Sequence, residues 1–228
     1  MVVVVPESTS DRAKELIREQ NAEVIVHGES WQEANALAES MLGETDILVH
    51  PFDNPLLWSG HASMIDEIAS TGDKPEVVVL SVGGGGLLCG VVKGLQRNGW
   101  GDVPIIAVET EGADSFERSI RAGELVELAS IDSIATSLGA RKVCQQAFSY
   151  SNTYPISSVV VSDASAIAAC ERFIDDHRVV VEPACGASLA VVYESLPALS
   201  DYRSVLVIVC GGATSTIEQL QRWAQDFL

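Results

Sequence analysis

Basic charge, histidine, long apolar runs and nucleotide signatures are all scarce in this sequence. Its 228 residues carry 14 Lys and Arg against 32 Asp and Glu, a net charge of −18 at pH 7. Nucleic acid and anionic membrane surfaces select basic faces, so neither is an expected partner. Apolar runs such as Val77–Leu80 fall far short of a membrane span, and Met1–Pro6 is too short for a secretory signal. The four histidines (His27, His50, His61, His177) stand at no zinc-site spacing from a cysteine. The five cysteines (Cys89, Cys144, Cys170, Cys185, Cys210) are odd in number and lie far apart, which points to reduced thiols and a cytoplasmic setting. The dinucleotide frame Gly-x-Gly-x-x-Gly fails, because glycine would be needed at Leu88 or Cys89. No Gly-Lys-Ser/Thr follows the glycines either, so a nucleoside triphosphate is not expected.

What is present is an apolar content of 47%, ample for a core, and a regular alternation of strand-like and helix-like segments. Strands are expected at Val2–Val5, Glu23–His27, Ile47–His50, Val77–Leu80, Pro104–Val108, Ser157–Val161, Val179–Val181 and Tyr202–Val209. The unbroken valines of Val2–Val5 predict a strand covered on both faces. Ser10 (or Ser8) and Ser30 are placed to cap helices, the second with Glu33 three residues on. Further helices are expected at Ala62–Ser70, Leu87–Arg97, Ser115–Ala122, Ser133–Gly139, from Asp163 to about Asp175, from Pro183 to about Leu196, and from Ser215 onward. The turn-rich stretch Pro51–His61 reads as irregular. The alternation predicts an α/β fold: an open, mostly parallel, doubly wound sheet with helices on both faces.

The organising stretch is Ser81-Val82-Gly83-Gly84-Gly85-Gly86-Leu87-Leu88-Cys89-Gly90, set between a buried strand and a helix start. Consecutive glycines sacrifice backbone entropy and offer bare N–H groups at the positive end of a helix, which is an anion cradle. In an open α/β sheet, ligands gather beyond the carboxyl ends of strands. Glu109 after Val108, Glu182-Pro183 after Val181, and Cys210-Gly211-Gly212 after Val209 are the other strand ends with unusual residues. Four such ends in one parallel sheet would converge on one crevice. With nucleotides set aside, a phosphate monoester such as pyridoxal phosphate is the expected ligand.

The stretch Ser81–Gly90 resembles the tetraglycine loop of pyridoxal-phosphate-dependent L-serine/L-threonine dehydratases, the serine dehydratase and serine dehydratase-like group. Pro51–Leu56, Gly60–Ser63, Gly99–Pro104, Val181–Ala187 and Val209–Gly212 match the same group in the same order. The resemblance implies the fold type II architecture, similar to the tryptophan synthase β subunit. On that pattern, residues 1–48 form part of a small α/β domain and residues 49–228 the large cofactor-binding domain. It implies a cofactor site of Gly83, Gly84, Gly85, Gly86, Leu87, Cys210 and Gly211, with the Cys210 thiol facing the pyridine nitrogen. It also implies a monovalent cation, K+ being suited, held at Gly83, Glu109, Ala113, Ser115, Leu138 and Ala140. Of these, only Glu109 and Ser115 offer side-chain oxygens.

The implied reaction is β-elimination: L-serine gives pyruvate and ammonia, and L-threonine gives 2-oxobutanoate and ammonia. It needs a lysine in a Ser-Phe-Lys-type motif and a Ser-x-x-Gly-Asn-like loop, and this sequence has neither. The four lysines, Lys14, Lys74, Lys93 and Lys142, read as solvated surface. The catalytic lysine is therefore expected outside this chain, with no catalytic residue inside it. The expected assembly is a homodimer or an association with the lysine-bearing N-terminal segment. The competing reading is a non-catalytic fragment or pseudoenzyme that binds the cofactor phosphate alone.

Overall fold

The computed structural model describes residues 1–228, which divide into two units, Met1–His50 and Pro51–Leu228. The first unit runs β1 (Val2–Val5), α1 (Asp11–Glu19), β2 (Glu23–Val26) and α2 (Trp31–Ser40). β1 and β2 pair in parallel, with Val2 opposite Glu23 and Val5 opposite Val26. Ser10 caps α1 by accepting from the Ala13 N–H at 3.2 Å. Ser30 caps α2 through the Glu33 N–H, and Glu33 Oε2 accepts in turn from the Glu29 N–H at 2.8 Å. Only Val5 of the four valines is buried, and Val2 and Val26 are exposed. A two-stranded sheet in a unit of 50 residues leaves its outer positions uncovered, so the predicted two-sided burial is absent. Ile47–His50 forms no strand, because no neighbouring strand offers it a ladder.

The second unit opens with two helices, α3 (Pro55–His61) and α4 (Ser63–Thr71). The turn residues of Pro51–His61 predict irregular chain, yet Asn54 caps α3 by accepting from the Leu56 N–H at 2.9 Å, and Pro55 supplies the first helical position. Next come β3 (Val77–Ser81), α5 (Gly86–Arg97), β4 (Ile105–Thr110) and α6 (Ser115–Ala122). The chain continues through α7 (Gln145–Thr153), β5 (Ile156–Val161), α8 (Asp163–His177), α9 (Pro183–Tyr193), β6 (Val205–Val207) and α10 (Ile217–Phe227). Helix α7 buries only Ala147 and has little apolar periodicity, so the sequence pattern does not mark it. Ser133–Gly139 holds only a short 3-10 turn at Thr136–Leu138. Val179–Val181 is not a strand: its neighbour Glu182 makes a single N–H bond to the Gly211 carbonyl in place of a ladder. The last strand is confined to Val205–Val207.

The four strands form one parallel sheet in the order β5-β4-β3-β6. Alternate side chains of the central strands feed two cores. Val78, Leu80, Ile105 and Ala107 pack with Trp58, Ile65, Leu88 and Phe116 on one face. Val77, Val79, Ile106 and Val108 pack with Ile167, Ala187, Val191 and Leu220 on the other. Both faces of the sheet are thus covered by helices, as the period of two in a strand requires of a doubly wound fold. Helix α9 is buried almost throughout because its residues are small: a Cβ on Gly186 would lie 2.1 Å from the Ala166 carbonyl oxygen of α8.

Candidate functional site

Three of the four marked segments lie at the carboxyl ends of adjacent strands: the glycine run after β3, Glu109 one residue before the end of β4, and Cys210 after β6. Glu182 reaches the same end by another route. Its Oε2 accepts from the Thr214 hydroxyl at 2.9 Å, and its N–H donates to the Gly211 carbonyl. Gly212 is packed so closely on this segment that a Cβ there would lie 2.8 Å from Val181 backbone.

The glycine loop is made by close approach on every side. A Cβ on Gly83 would meet the Ser137 carbonyl oxygen at 2.9 Å. One on Gly84 would meet the Phe52 ring at 2.2 Å, and one on Gly86 the Phe52 carbonyl oxygen at 2.6 Å. Phe52 is itself fixed, because the Trp58 indole N–H donates to its carbonyl at 2.6 Å. Gly85 takes φ of +89° as the residue before α5, a conformation that favours glycine. Its carbonyl accepts from the Cys89 N–H and that of Gly84 from the Cys144 N–H.

The loop's amides are treated differently from its carbonyls. The N–H groups of Gly83, Gly84 and Gly85 donate to no protein acceptor. No side chain caps the first turn of α5, so the amides of Gly86 and Leu87 are uncapped too. Gly85 and Gly86 are buried. Buried N–H groups are rarely left unpaired, and unpaired ones at a helix start select an anion. The residues present therefore fit a phosphate monoester on the loop.

Cys210 is exposed at the mouth of this end of the sheet. Cys185 stands against it, and the Cys185 thiol donates to the Gly211 carbonyl at 3.3 Å. The hydrogen bond with Cys185, helped by burial, pushes the Cys210 thiol well above its ordinary range. Cys210 is therefore a neutral thiol near pH 7, a weak donor rather than an anion.

Glu109 is fully buried, and both its oxygens are occupied: Oε1 accepts from Phe116 N–H and Oε2 from Glu117 N–H, each at 2.8 Å. It thus caps α6 from across the β4–α6 turn. Burial outweighs these two bonds and pushes its carboxyl up to about 8. Ser115 Oγ and Asp114 Oδ1, in the same turn, are buried with no partner at all. The Leu138 segment packs on Gly83, and Ala113 bridges back to Thr110. The parallel register sets Ser81 beside Val108, so the glycine loop leaves the sheet level with Glu109. Two orphaned buried oxygens in an otherwise satisfied turn fit a cation. Sequence reasoning missed Asp114, since nothing in its spacing distinguishes it from a solvated turn residue.

The lysines are not all solvated. Lys74 and Lys142 are exposed, but Lys93 donates to Ser59 Oγ at 2.8 Å and the Lys14 side chain is only 15% exposed.

A model of the family described as pyridoxal-phosphate dependent enzyme matches residues 1–211. Over 230 residues the chain is 46% identical to the L-serine dehydratase/L-threonine deaminase of Homo sapiens, covering 96% of this chain and 70% of that protein. It is 43% identical over 231 residues to the L-serine dehydratase of Dictyostelium discoideum, covering 96% and 66%. The chain thus spans about two thirds of the length of these relatives. Among solved structures, a fungal L-serine ammonia-lyase from Rhizomucor miehei superposes with a TM-score of 0.90 at 35% identity, covering 100% of this chain and 74% of that one. Threonine deaminase isoform 2 from Solanum lycopersicum has a TM-score of 0.81 at 23% identity, with 98% and 65% covered, which speaks for the fold alone.

Proposed function

Because the chain belongs to the pyridoxal-phosphate dependent enzyme family, we propose that it holds the cofactor of an L-serine and L-threonine dehydratase. Relatives named L-serine dehydratase, at 43% identity, and L-serine dehydratase/L-threonine deaminase, at 46%, support the reading. The observation that carries it is the glycine loop, whose amides from Gly83 to Leu87 have no protein partner or cap.

The division of labour follows from the residues. Gly83–Leu87 would hold the phosphate through their N–H groups and the start of α5. Pyridoxal phosphate, when bound, supplies an electron sink for loss of the α-proton and the β-hydroxyl. Cys210, beside Gly211, would stand toward the cofactor ring as a neutral thiol, a weak donor that would leave the ring nitrogen largely unprotonated. Cys185 keeps Cys210 in this state by the bond between the two thiols. Phe52, held by Trp58, closes one side of the loop against water. None of the lysines in this chain is assigned a catalytic role.

The reading extends to a monovalent cation, K+ being suited, near Glu109 and Ser115 and the carbonyls of Gly83, Ala113, Leu138 and Ala140. The unpartnered Ser115 Oγ and Asp114 Oδ1 support it. It extends also to a cytoplasmic homodimer, for which five free thiols and the resemblance speak. Size-exclusion chromatography with light scattering tests the dimer.

The functional test is a titration with pyridoxal phosphate followed by tryptophan fluorescence, with inorganic phosphate as competitor. The result expected is saturable binding that phosphate displaces and that Gly84→Asp abolishes. Pyruvate release from L-serine is then followed by coupled NADH oxidation. Binding without pyruvate is the result expected of this chain alone, because its catalytic lysine is read as lying outside it, and pyruvate from this chain alone would overturn that assignment. No binding in the folded chain overturns the cofactor assignment.

A further inference from the structure

The thiols of Cys89 and Cys144 play no part in the site as described, yet they stand directly behind it. Cys89 lies in the first turns of α5, and Cys144 is the residue before α7. They are 55 positions apart in the chain, and their Sγ atoms are 3.8 Å apart in the core. Each also grips the glycine loop. The Cys144 N–H donates to the Gly84 carbonyl at 2.9 Å, and the Cys89 N–H to the Gly85 carbonyl at 3.0 Å. A Cβ on Gly85 would lie 3.3 Å from Cys144 Sγ.

We propose that Cys89 and Cys144 form a peroxide-sensitive dithiol site, whose closure to a disulfide distorts the glycine loop and weakens its hold on phosphate. The second half rests on the cofactor reading above, and the first half does not. A disulfide has sulfurs about 2 Å apart, so the pair must close by about 1.8 Å. Both cysteines carry a carbonyl of the loop on their own amide. The closure therefore pulls on Gly84 and Gly85 together, at the point where the N–H groups are aimed.

The two thiols are unequal. Cys144 is 4% exposed and stands at a helix start, whereas Cys89 is fully enclosed. The Cys89 S–H, and the amides of Gln146 and Ala147 at the start of α7, hold the Cys144 thiol below its ordinary range. Cys144 is accordingly the attacking sulfur. Its thiolate takes one oxygen of a hydroperoxide, and the O–O bond breaks. Cys144 becomes a sulfenic acid, and with H2O2 the other oxygen leaves as hydroxide, which takes up the proton that the Cys144 thiol released and becomes water. The Cys89 sulfur then attacks the sulfenic sulfur, and hydroxide leaves with the Cys89 proton as a second water. Two thiols are oxidised by two electrons, and one peroxide is reduced to two waters.

The test begins with the folded chain exposed to hydrogen peroxide, alkylated, digested without reductant and mapped by mass spectrometry. A Cys89–Cys144 crosslinked peptide is expected. Cys89→Ser should instead accumulate a dimedone adduct on Cys144, and Cys144→Ser should yield neither product. Should a variant fail to fold, phenylarsine oxide provides a measure on the unaltered chain: mapped peptide by peptide, it should protect both Cys89 and Cys144 from alkylation. Free alkylation of both cysteines after peroxide, or a bridge formed only elsewhere, overturns the site. Pyridoxal phosphate affinity should fall about tenfold or more in protein that carries the Cys89–Cys144 bridge while Cys210 remains free to alkylate, and should return with dithiothreitol. Equal affinity before and after bridging overturns the coupling to the loop. A reduced chain that binds no pyridoxal phosphate refutes the cofactor reading, and the crosslink map then judges the dithiol site alone.

Discussion

Replacing Gly85 by alanine puts a methyl group where the fold leaves no room for one. Two separate costs arise. The φ of +89° lies in the region that L-residues avoid, at about 1–2 kcal/mol for a residue other than glycine. The new Cβ would also lie 2.5 Å from Ala147 Cβ and 2.8 Å from Val143 Cγ2. Neither atom is the free end of a long side chain, so α7 must shift or the loop must open. Overpacking of that kind costs about 1–3 kcal/mol. The sum is about 2–5 kcal/mol, a large part of the roughly 5–15 kcal/mol that a typical domain has. Urea unfolding followed by tryptophan fluorescence measures it, with an unchanged slope as the check on the unfolded state. Gly99→Ala is the matched control. Its φ is +73° but a Cβ there meets nothing within 4 Å, so only the backbone cost of about 1–2 kcal/mol remains. A Gly85→Ala protein within about 0.5 kcal/mol of the wild type, or no worse than the Gly99 variant, would refute the crowding argument.

Three further outcomes are expected. Trp58→Phe removes the indole N–H that holds the Phe52 carbonyl at 2.6 Å. It should cost about 1–3 kcal/mol in urea unfolding and weaken pyridoxal phosphate binding, and unaltered binding would show that Phe52 needs no such anchor. Glu109 has a folded-state value of about 8 against an ordinary 4.5, so its protonated form is favoured on folding. Its contribution is present below the ordinary value and is lost as pH rises through about 8. In choline chloride, without K+, the loss amounts to about 2–3 kcal/mol between about pH 6 and pH 8.5, measured as wild type minus Glu109→Gln. Parallel pH profiles of the two proteins would contradict the assignment. Ser115→Ala deletes a buried hydroxyl without a partner. In choline chloride it should be neutral or stabilise by about 1 kcal/mol, and any stabilisation by KCl should disappear; retained K+ stabilisation would remove Ser115 from the cation site.

The sequence by itself determined the glycine cradle, the parallel α/β alternation and most of the helices. Each of these is written in short stretches. Glycines at Gly83–Gly86 bear on the backbone around them, apolar runs such as Val77–Leu80 mark strands buried on both faces, and capping residues such as Ser30 act within a turn. Local signals failed where they were weak or ambiguous. The turn residues of Pro51–His61 hid a capped helix, α7 lacks an apolar stripe, and Val179–Val181 has the composition of a strand but no neighbour to pair with.

Only the tertiary structure decided what the site's groups are bonded to. Glu109 was marked as a strand-end carboxylate, but the structure satisfies it with the amides of Phe116 and Glu117 and leaves Ser115 Oγ and Asp114 Oδ1 unpartnered. The unpaired amides of the loop, the clamp of Trp58 on Phe52, and the approach of Cys89 to Cys144 are likewise properties of packing. The physical reason is range. Propensity, capping and periodicity act over a few residues, whereas hydrogen-bond satisfaction and close contact depend on which distant segments the sheet order β5-β4-β3-β6 brings side by side.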